Sequence, residues 1–344
     1  MAAAANVHVA TASRALDPQS AHPVSASTRA RVQLVAEKVG YRGHLMARGL
    51  RRGFSSTVGV VVADLANPFT APVLRGLENS LEEASYMALV TESREESTVL
   101  ENAVNHLLGR QVDALVLIAV RAGDRDRVLS WAAKVPIVLA VRKLPGSDIP
   151  AVTHDDRGSA RLAAMHLAEL GHRHILQLPG PLDVQTFSDR HQSFEETAKE
   201  LELAVRTIGP ATVPTFEEAR RLMRRILARG PGPATALFAH NDFMAMGAVR
   251  ALREAGLDCP GDLSVIGCND IAMAECLDPP LTTVRLEGYE VGRLAGMLAL
   301  DAITGSLGPG SGVQTPATLV VRSSTAPPRR PQRRGRPARR GTVA

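Results

Sequence analysis

From Val58 onward the chain alternates short apolar runs with longer stretches in which apolar residues recur every three or four positions. Val58–Val62, Met87–Thr91, Ala114–Ile118 and Ile137–Val141 read as strands, with helices over Pro68–Ser85, Ser97–Leu108 and Arg125–Ala133 between them. The series then begins again with a helix over Ser159–Leu170, a strand at His174–Leu178, a helix over Asp189–Leu201 and a strand at Thr235–Ala239. Regular alternation predicts parallel sheets with helices on both faces, an α/β architecture. Its repetition predicts two doubly wound lobes. Ligands of such sheets sit beyond the strand carboxyl ends, so a cleft between the lobes is the expected binding site.

The first 56 residues carry no strand signal. Ser25 stands as N-cap to a helix over Ala26–Val39, whose Val32, Val35, Ala36 and Val39 share one face, and Gly40 supplies the stop. Val9–Leu16, after the turn Asn6-Val7-His8, reads as a second helix. The end of the chain is rich in Pro and Arg and has too few apolar residues to pack. The expected division is a helical headpiece over 1–42, a hinge and linker over 43–56, the two-lobed core over 57–322, and a disordered tail over 323–344.

Charge sharpens this division. The net charge is +5, yet residues 1–56 carry +6 and residues 323–344 carry +7, which leaves the body between them at −8. A basic head and tail on an acidic body point to a polyanion, nucleic acid first among them, met at the ends. No apolar stretch approaches the ~20 residues of a membrane helix, and no basic segment followed by an apolar run marks a secretory signal. Cys259, Cys268 and Cys276 form no CxxC pair and no metal-ligand spacing, as expected of reduced thiols in a cytoplasmic protein.

Enzyme signatures are missing: no GxGxxG, Walker loop, HExxH or GxSxG occurs. No cofactor or metal is implied. His172 and His174 flank a strand start without a further ligand and are expected at the surface, while Trp131 falls at core spacing. The stretch Val9–Leu16 is more informative. Small and hydroxyl side chains with Arg14 on one helical face suit close approach to a major groove, with hydroxyls to phosphate and arginine to guanine edges.

The headpiece strings VATASRAL at 9–16 and VSASTRARVQLVAEKVGYRGHLMARGL at 24–50 resemble the lactose-repressor (LacI/GalR) family of transcriptional regulators. NPFT at 67–70, LAELGHRHI at 167–175, HNDFMAMGAVRAL at 240–252, LSVIGCND at 263–270 and PPLTTVR at 279–285 correspond to family blocks in order, covering more than nine-tenths of the chain. The resemblance implies a helix-turn-helix headpiece on a periplasmic-binding-protein-like core. It also implies a homodimer, a pseudo-palindromic operator in double-stranded DNA, and a small-molecule effector of carbohydrate type.

Residue by residue, the resemblance places Thr11, Ser13 and Arg14 on the recognition helix and Ser25 and Thr28 among the DNA contacts. Val9 and Ala10 occupy the positions that choose the operator, or contribute shape alone. Ala47 permits close backbone approach in the hinge, and Leu50 matches a minor-groove wedge, against the alternative of packing in a small interdomain core. In the cleft it nominates Asp64, Asn67, Phe69, Arg190, Asn241, Asp242, Asn269 and Asp270. For Asp242 and Asp270, holding a helix N-terminus is an equal reading.

There are departures too. Asn269 and Val141 stand where the family carries aspartates, which puts a simple carry-over of sugar specificity in doubt. Met1–Ala5 matches only the last turn of the family's first helix, and the loop at 17–23 is longer than the pattern. The first reads either as a start at the wrong methionine or as a damaged headpiece, and the second shifts the recognition helix relative to the next one; an effector-binding core with impaired DNA binding is the alternative to a repressor, and a solute-binding protein is the more distant rival. The arginine-rich tail is either a solvated end or a source of unspecific phosphate contacts.

Overall fold

The computed structural model describes residues 1–16, 24–40, 54–230, 232–308 and 310–329. The expected hinge residues Ala47 and Leu50, the loop at 17–23 and residues 330–344 lie outside the described residues. Two compact units divide between Ser56 and Thr57.

In the first unit, helices α1 (Val9–Ala15) and α2 (Ala26–Lys38) pack through Ala12, Ala15 and Val32, with Ala5 buried beside them. His8 caps α1, accepting from Ala10 N at 3.3 Å, and Ser25 caps α2, accepting from Thr28 N at 3.3 Å. The apolar face of α2 is narrower than its sequence predicts. Val39 is the C-cap and half exposed, because the helix ends one residue earlier and the chain turns away at Gly40.

The second unit contains two six-stranded sheets. Lobe 1 has the order β11-β5-β4-β3-β1-β2 and lobe 2 the order β12-β10-β9-β8-β6-β7. In chain order β1 to β5 are Thr57–Val62, Met87–Glu92, Ala114–Leu117, Ile137–Val141 and Ala151–His154. β6 to β10 are His174–Leu178, Ala204–Thr207, Ala236–Ala239, Ser264–Asn269 and Thr282–Leu286, followed by β11 (Gly312–Thr315) and β12 (Ala317–Val320). All neighbours run parallel except β10 and β12.

The central strands are apolar on both faces because helices cover both. Val58, Val60, Val62, Val116 and Val138 face α3 (Thr70–Glu83) and α10 (Gly288–Thr304). Val61, Leu115, Leu117 and Leu139 face α4 (Ser97–Gly109) and α5 (Arg125–Ala132). Trp131 packs into this second layer, as its spacing predicts. Lobe 2 repeats the plan with α6 (Asp156–Glu169) and α7 (Gln185–Glu200) on one face and α8 (Phe216–Leu227) and α9 (Asp242–Glu254) on the other.

The lobes are not two successive halves of the chain. It crosses between them three times: from β5 to α6, from β10 to α10, and from β11 to β12. α10 and β11 thus return to lobe 1 after lobe 2 is nearly complete. All three crossings lie at strand carboxyl ends, so those ends face each other across the cleft.

Residues 323–329, expected in the tail, pack instead on lobe 2, and Ser324 and Thr325 are buried. Backbone and hydroxyl hydrogen bonds hold this segment where apolar content alone predicts none. His172 is likewise not at the surface. It is fully buried, bonded to Thr235 Oγ1 at 2.8 Å and to Ala326 O at 3.0 Å, whereas His174 is exposed. Among the described residues no helix is long and apolar enough to cross a membrane.

Candidate functional site

The cleft takes its first wall from the β1–α3 turn. Asp64 accepts from Ala66 N at 2.7 Å and Asn67 from Phe69 N at 3.1 Å, so both carboxylate and amide shape the loop that presents Phe69. Phe69 packs against the cores of both lobes and meets His154 edge-on at 5.5 Å. Gly288 makes room for it: a Cβ there would lie 3.1 Å from the ring.

Arg190, on α7, is buried. Its Nη2 lies 2.8 Å from Asp156 Oδ1, its Nε donates to the same oxygen at 3.0 Å, and its Nη1 donates to His240 O at the end of β8. The guanidinium also lies 5.7 Å from the Phe187 ring centroid. Around this cation Asp156 Oδ2, His154 Nε2 and His240 Nδ1 are buried with no hydrogen-bond partner among the described residues. Such atoms cost about 1–3 kcal/mol each unless something fills their valence.

Burial pushes the Asp156 carboxyl up to about 6 even though Arg190 pulls it down. Burial and then the Arg190 charge hold His154 down at about 3, and the same two causes keep His240 well below the ordinary histidine range. Both imidazoles are therefore neutral at pH 7. Gln177 bonds His240 Nε2 at 3.2 Å, while its Oε1 lies 2.8 Å from His191 Nδ1. The amide nitrogen of Gln177 thus donates to His240, which leaves the proton on His240 Nδ1.

The remaining nominees are held more tightly by the protein itself. Asn241 caps α9, accepting from Met244 N at 2.7 Å and donating to Pro214 O at 3.2 Å. Asp242 is fully buried and accepts from Ile271 N at 2.9 Å and from the Thr283 hydroxyl. Burial pushes its carboxyl up to about 6 against the Thr283 hydrogen bond. Asp242 therefore ties α9 to β10 and the loop after β9. Asp270 holds no helix N-terminus. It pairs with Arg285 at 2.8 Å and Arg322 at 2.7 Å.

Strands at the cleft end in conformations that side chains avoid. Val141 ends β4 at φ +66°, and Asn269 and Asp270 end β9 at +124° and +56°. Clusters of this kind mark sites where surrounding structure over-determines the backbone. At the cleft mouth the lobes touch directly: Arg121 reaches Asp183 at 2.7 Å, Ala122 N donates to Asp183 O at 3.0 Å, and Lys143 N to Gln185 Oε1 at 3.2 Å. Glu95 anchors Arg142 and Arg121 from lobe 1.

Sequence reading missed Asp156, His154 and His240. The available signal was the polar string His154-Asp155-Asp156 directly after an apolar strand. Among the described residues no group of three His, Cys, Asp or Glu side chains could hold a metal.

In the headpiece, Val9, Ala10 and Arg14 are exposed on α1, Thr11 and Ser13 half-buried, and Ala12 and Ala15 buried. Arg14 folds back, its Nε 3.2 Å from Ala10 O. Thr28, in the first turn of α2, accepts from Ser25 Oγ through its hydroxyl at 2.9 Å.

A family model for the periplasmic binding protein-like domain matches residues 164–325. The HTH-type transcriptional repressor CytR of Escherichia coli (strain K12) is 32% identical over 93% of this chain and 94% of its own length. Among solved structures, a lac repressor dimer bound to operator and the anti-inducer ONPF aligns at a TM-score of 0.82, with 26% identity over 94% of this chain and 97% of that one. A complex of the transcriptional regulator CelR with cellobiose aligns at 0.71, with 28% identity over 94% and 98%.

Proposed function

The chain belongs to the lactose-repressor (LacI/GalR) family of transcriptional regulators, and on that premise we propose a cytoplasmic homodimeric repressor whose hold on a pseudo-palindromic operator is set by a small metabolite bound between the lobes. The observation that carries the effector half is the cluster on Arg190. Three buried polar atoms, from β5, α6 and the residue that follows β8, converge on one cation at the strand carboxyl ends, where ligands of such sheets bind.

The effector is a hydroxyl-bearing compound of carbohydrate type, read through Asp64, Asn67, Phe69, Arg190 and Asn269. Asn241, Asp242 and Asp270 act mainly by holding the strand ends. Val141 and Asn269 offer no carboxylate, so the preferred compound differs from one bound through acidic pairs. The cellobiose bound by CelR supports the class and not the compound.

On the DNA side, Arg14 reads base edges, Val9 and Ala10 select sequence, and Thr11, Ser13, Ser25 and Thr28 engage the backbone. Ala47 and Leu50 supply the close approach and the wedge of the hinge. Selection of duplexes from a random pool by the full chain tests this half. A two-fold symmetric consensus is expected; an asymmetric one would remove the homodimer reading.

A further inference from the structure

β6 carries a glutamine between two core leucines. Gln177 is fully buried, like Leu176 and Leu178 beside it. A polar side chain in such a layer costs stability unless its groups are paired, and here the amide is paired at both ends. Its Oε1 accepts from His191 Nδ1 at 2.8 Å and from the Thr207 hydroxyl at 3.3 Å. Its Nε2 donates to His191 O at 3.5 Å and lies 3.2 Å from His240 Nε2. A backbone carbonyl only accepts, so the amide nitrogen is the atom that faces His191 O and His240.

His240, the residue after β8, ends this run of hydrogen bonds. It is fully buried, its ring stacks on Phe187 at 6.3 Å, and its carbonyl accepts from Arg190. Burial and the Arg190 charge keep the ring neutral at pH 7, so it carries one proton. With Nε2 accepting from Gln177, that proton sits on Nδ1. Nδ1 is buried with no partner among the described residues, and so is Asp156 Oδ2, whose other oxygen accepts from Arg190. The Asp156 carboxyl, at about 6, is ionised at pH 7 and can only accept. One donor and one acceptor are thus left beside the same guanidinium.

A free hydroxyl answers to both, since it donates one hydrogen bond and accepts another. An ether or carbonyl oxygen only accepts and leaves the carboxylate unmatched, and an ammonium group only donates and leaves the imidazole N–H unmatched. We propose that His240 is a specificity-determining residue of the effector site, its Nδ1–H donating to a free hydroxyl whose own proton goes to Asp156 Oδ2, and that Gln177 is the positioning residue that sets this tautomer from within the core. The inference rests on the reading of the cleft as the site of a carbohydrate-type effector. It adds that the effector is read at this point as donor and acceptor together, through a side chain that does not itself reach it.

The test uses the full chain with 15N-labelled histidine, and the ring signals lost in His240→Asn identify His240. With no sugar present, His240 of the parent should carry its proton on Nδ1, a measurement that needs no variant beyond the assignment. Gln177→Leu removes the donor facing Nε2, so the two nitrogen signals should move toward each other as both tautomers are populated. Mono- and disaccharides are then added one at a time, with binding read from the ring signals and from thermal midpoints. A sugar that binds should shift the Nδ1 signal of the parent and should bind Gln177→Leu on the order of ten- to a hundredfold more weakly. An asparagine amide offers an N–H near the position of Nδ1 whatever lies behind it. With His240→Asn already present, Gln177→Leu should therefore cost little further affinity. A bare Nδ1 in the sugar-free parent would overturn the proposal and leave the effector reading intact. So would a bound sugar that does not move the Nδ1 signal, or an equal loss from Gln177→Leu in both backgrounds, which is the mark of a purely structural role. If no sugar binds, the carbohydrate reading falls and the proposal falls with it.

Discussion

Truncating Arg190 would leave Asp156 buried without the cation beside it. Removing one partner of a buried ion pair costs about 3–5 kcal/mol, so Arg190→Ala should lower the urea midpoint markedly. Adding Asp156→Asn removes the stranded charge and should restore part of the loss. A double variant no more stable than the single one would mean that the two side chains do not act as a pair. His154 supplies a second test at this scale. Its folded value near 3 lies below the unfolded one near 6.5, so its contribution is complete above pH 6.5 and is lost as pH falls toward 3. His154→Asn should therefore lose less stability than the parent between pH 6.5 and 5, by at most about 2 kcal/mol. Urea midpoints at both pH values for both proteins check this, and parallel pH profiles would contradict it. Arg190 was legible in the sequence because its surrounding string resembles a family block. Its partners were not, since Asp156 lies 34 residues earlier and His240 50 residues later. Only the fold brings them together.

Strands and helices of the core were legible where an element makes its own case. β4 and β6 match the apolar runs end to end, and α2 begins directly after its capping serine. β11 and β12 were silent because they are short and largely polar, and they exist only through pairing with β5 and β10. The crossing of α10 back to lobe 1 was equally hidden. It depends on glycines that let α10 lie directly on α3: a Cβ on Gly292 would stand 1.8 Å from Val73 O, and one on Gly76 2.0 Å from Tyr289 O. An exposed helical glycine replaced by alanine gains about 1 kcal/mol. Gly292→Ala should instead cost about 1–3 kcal/mol, because two backbones must separate. A raised urea midpoint would show that the helices do not touch there. The cleft mouth offers a kinetic test. Arg121→Ala removes the cation that holds Asp183, and the Ala122 and Lys143 amides, both bonded across the cleft, should exchange several-fold faster. Amide exchange in β3 and β8 should stay as it was. Unchanged rates at Ala122 and Lys143 would mean that these contacts do not hold the lobes.

At the scale of the whole molecule, charge and hinges set the behaviour. An acidic body carries basic ends, and its negative charge disfavours nucleic acid on the body and leaves the cleft to a small ligand. The three crossings confine relative motion of the lobes to a few residues beside Phe69, His154 and Thr315, where His154 Nδ1 lies 3.0 Å from Thr315 Oγ1. A ligand bridging the lobes there biases closure only by as much as it binds one arrangement better than the other. Coupling between cleft and operator is reciprocal: an effector that changes operator affinity by some factor must itself be bound with affinity changed by the same factor. The direct measurement takes the selected operator duplex and a panel of mono- and disaccharides. Operator affinity is measured with and without each sugar, and the affinity for any active sugar is measured with and without operator. The expected result is one sugar for which both factors agree and fall in the range of roughly 5–150-fold. A sugar that binds the core but leaves operator affinity unchanged, with no other sugar altering it, would mean that cleft and operator are uncoupled.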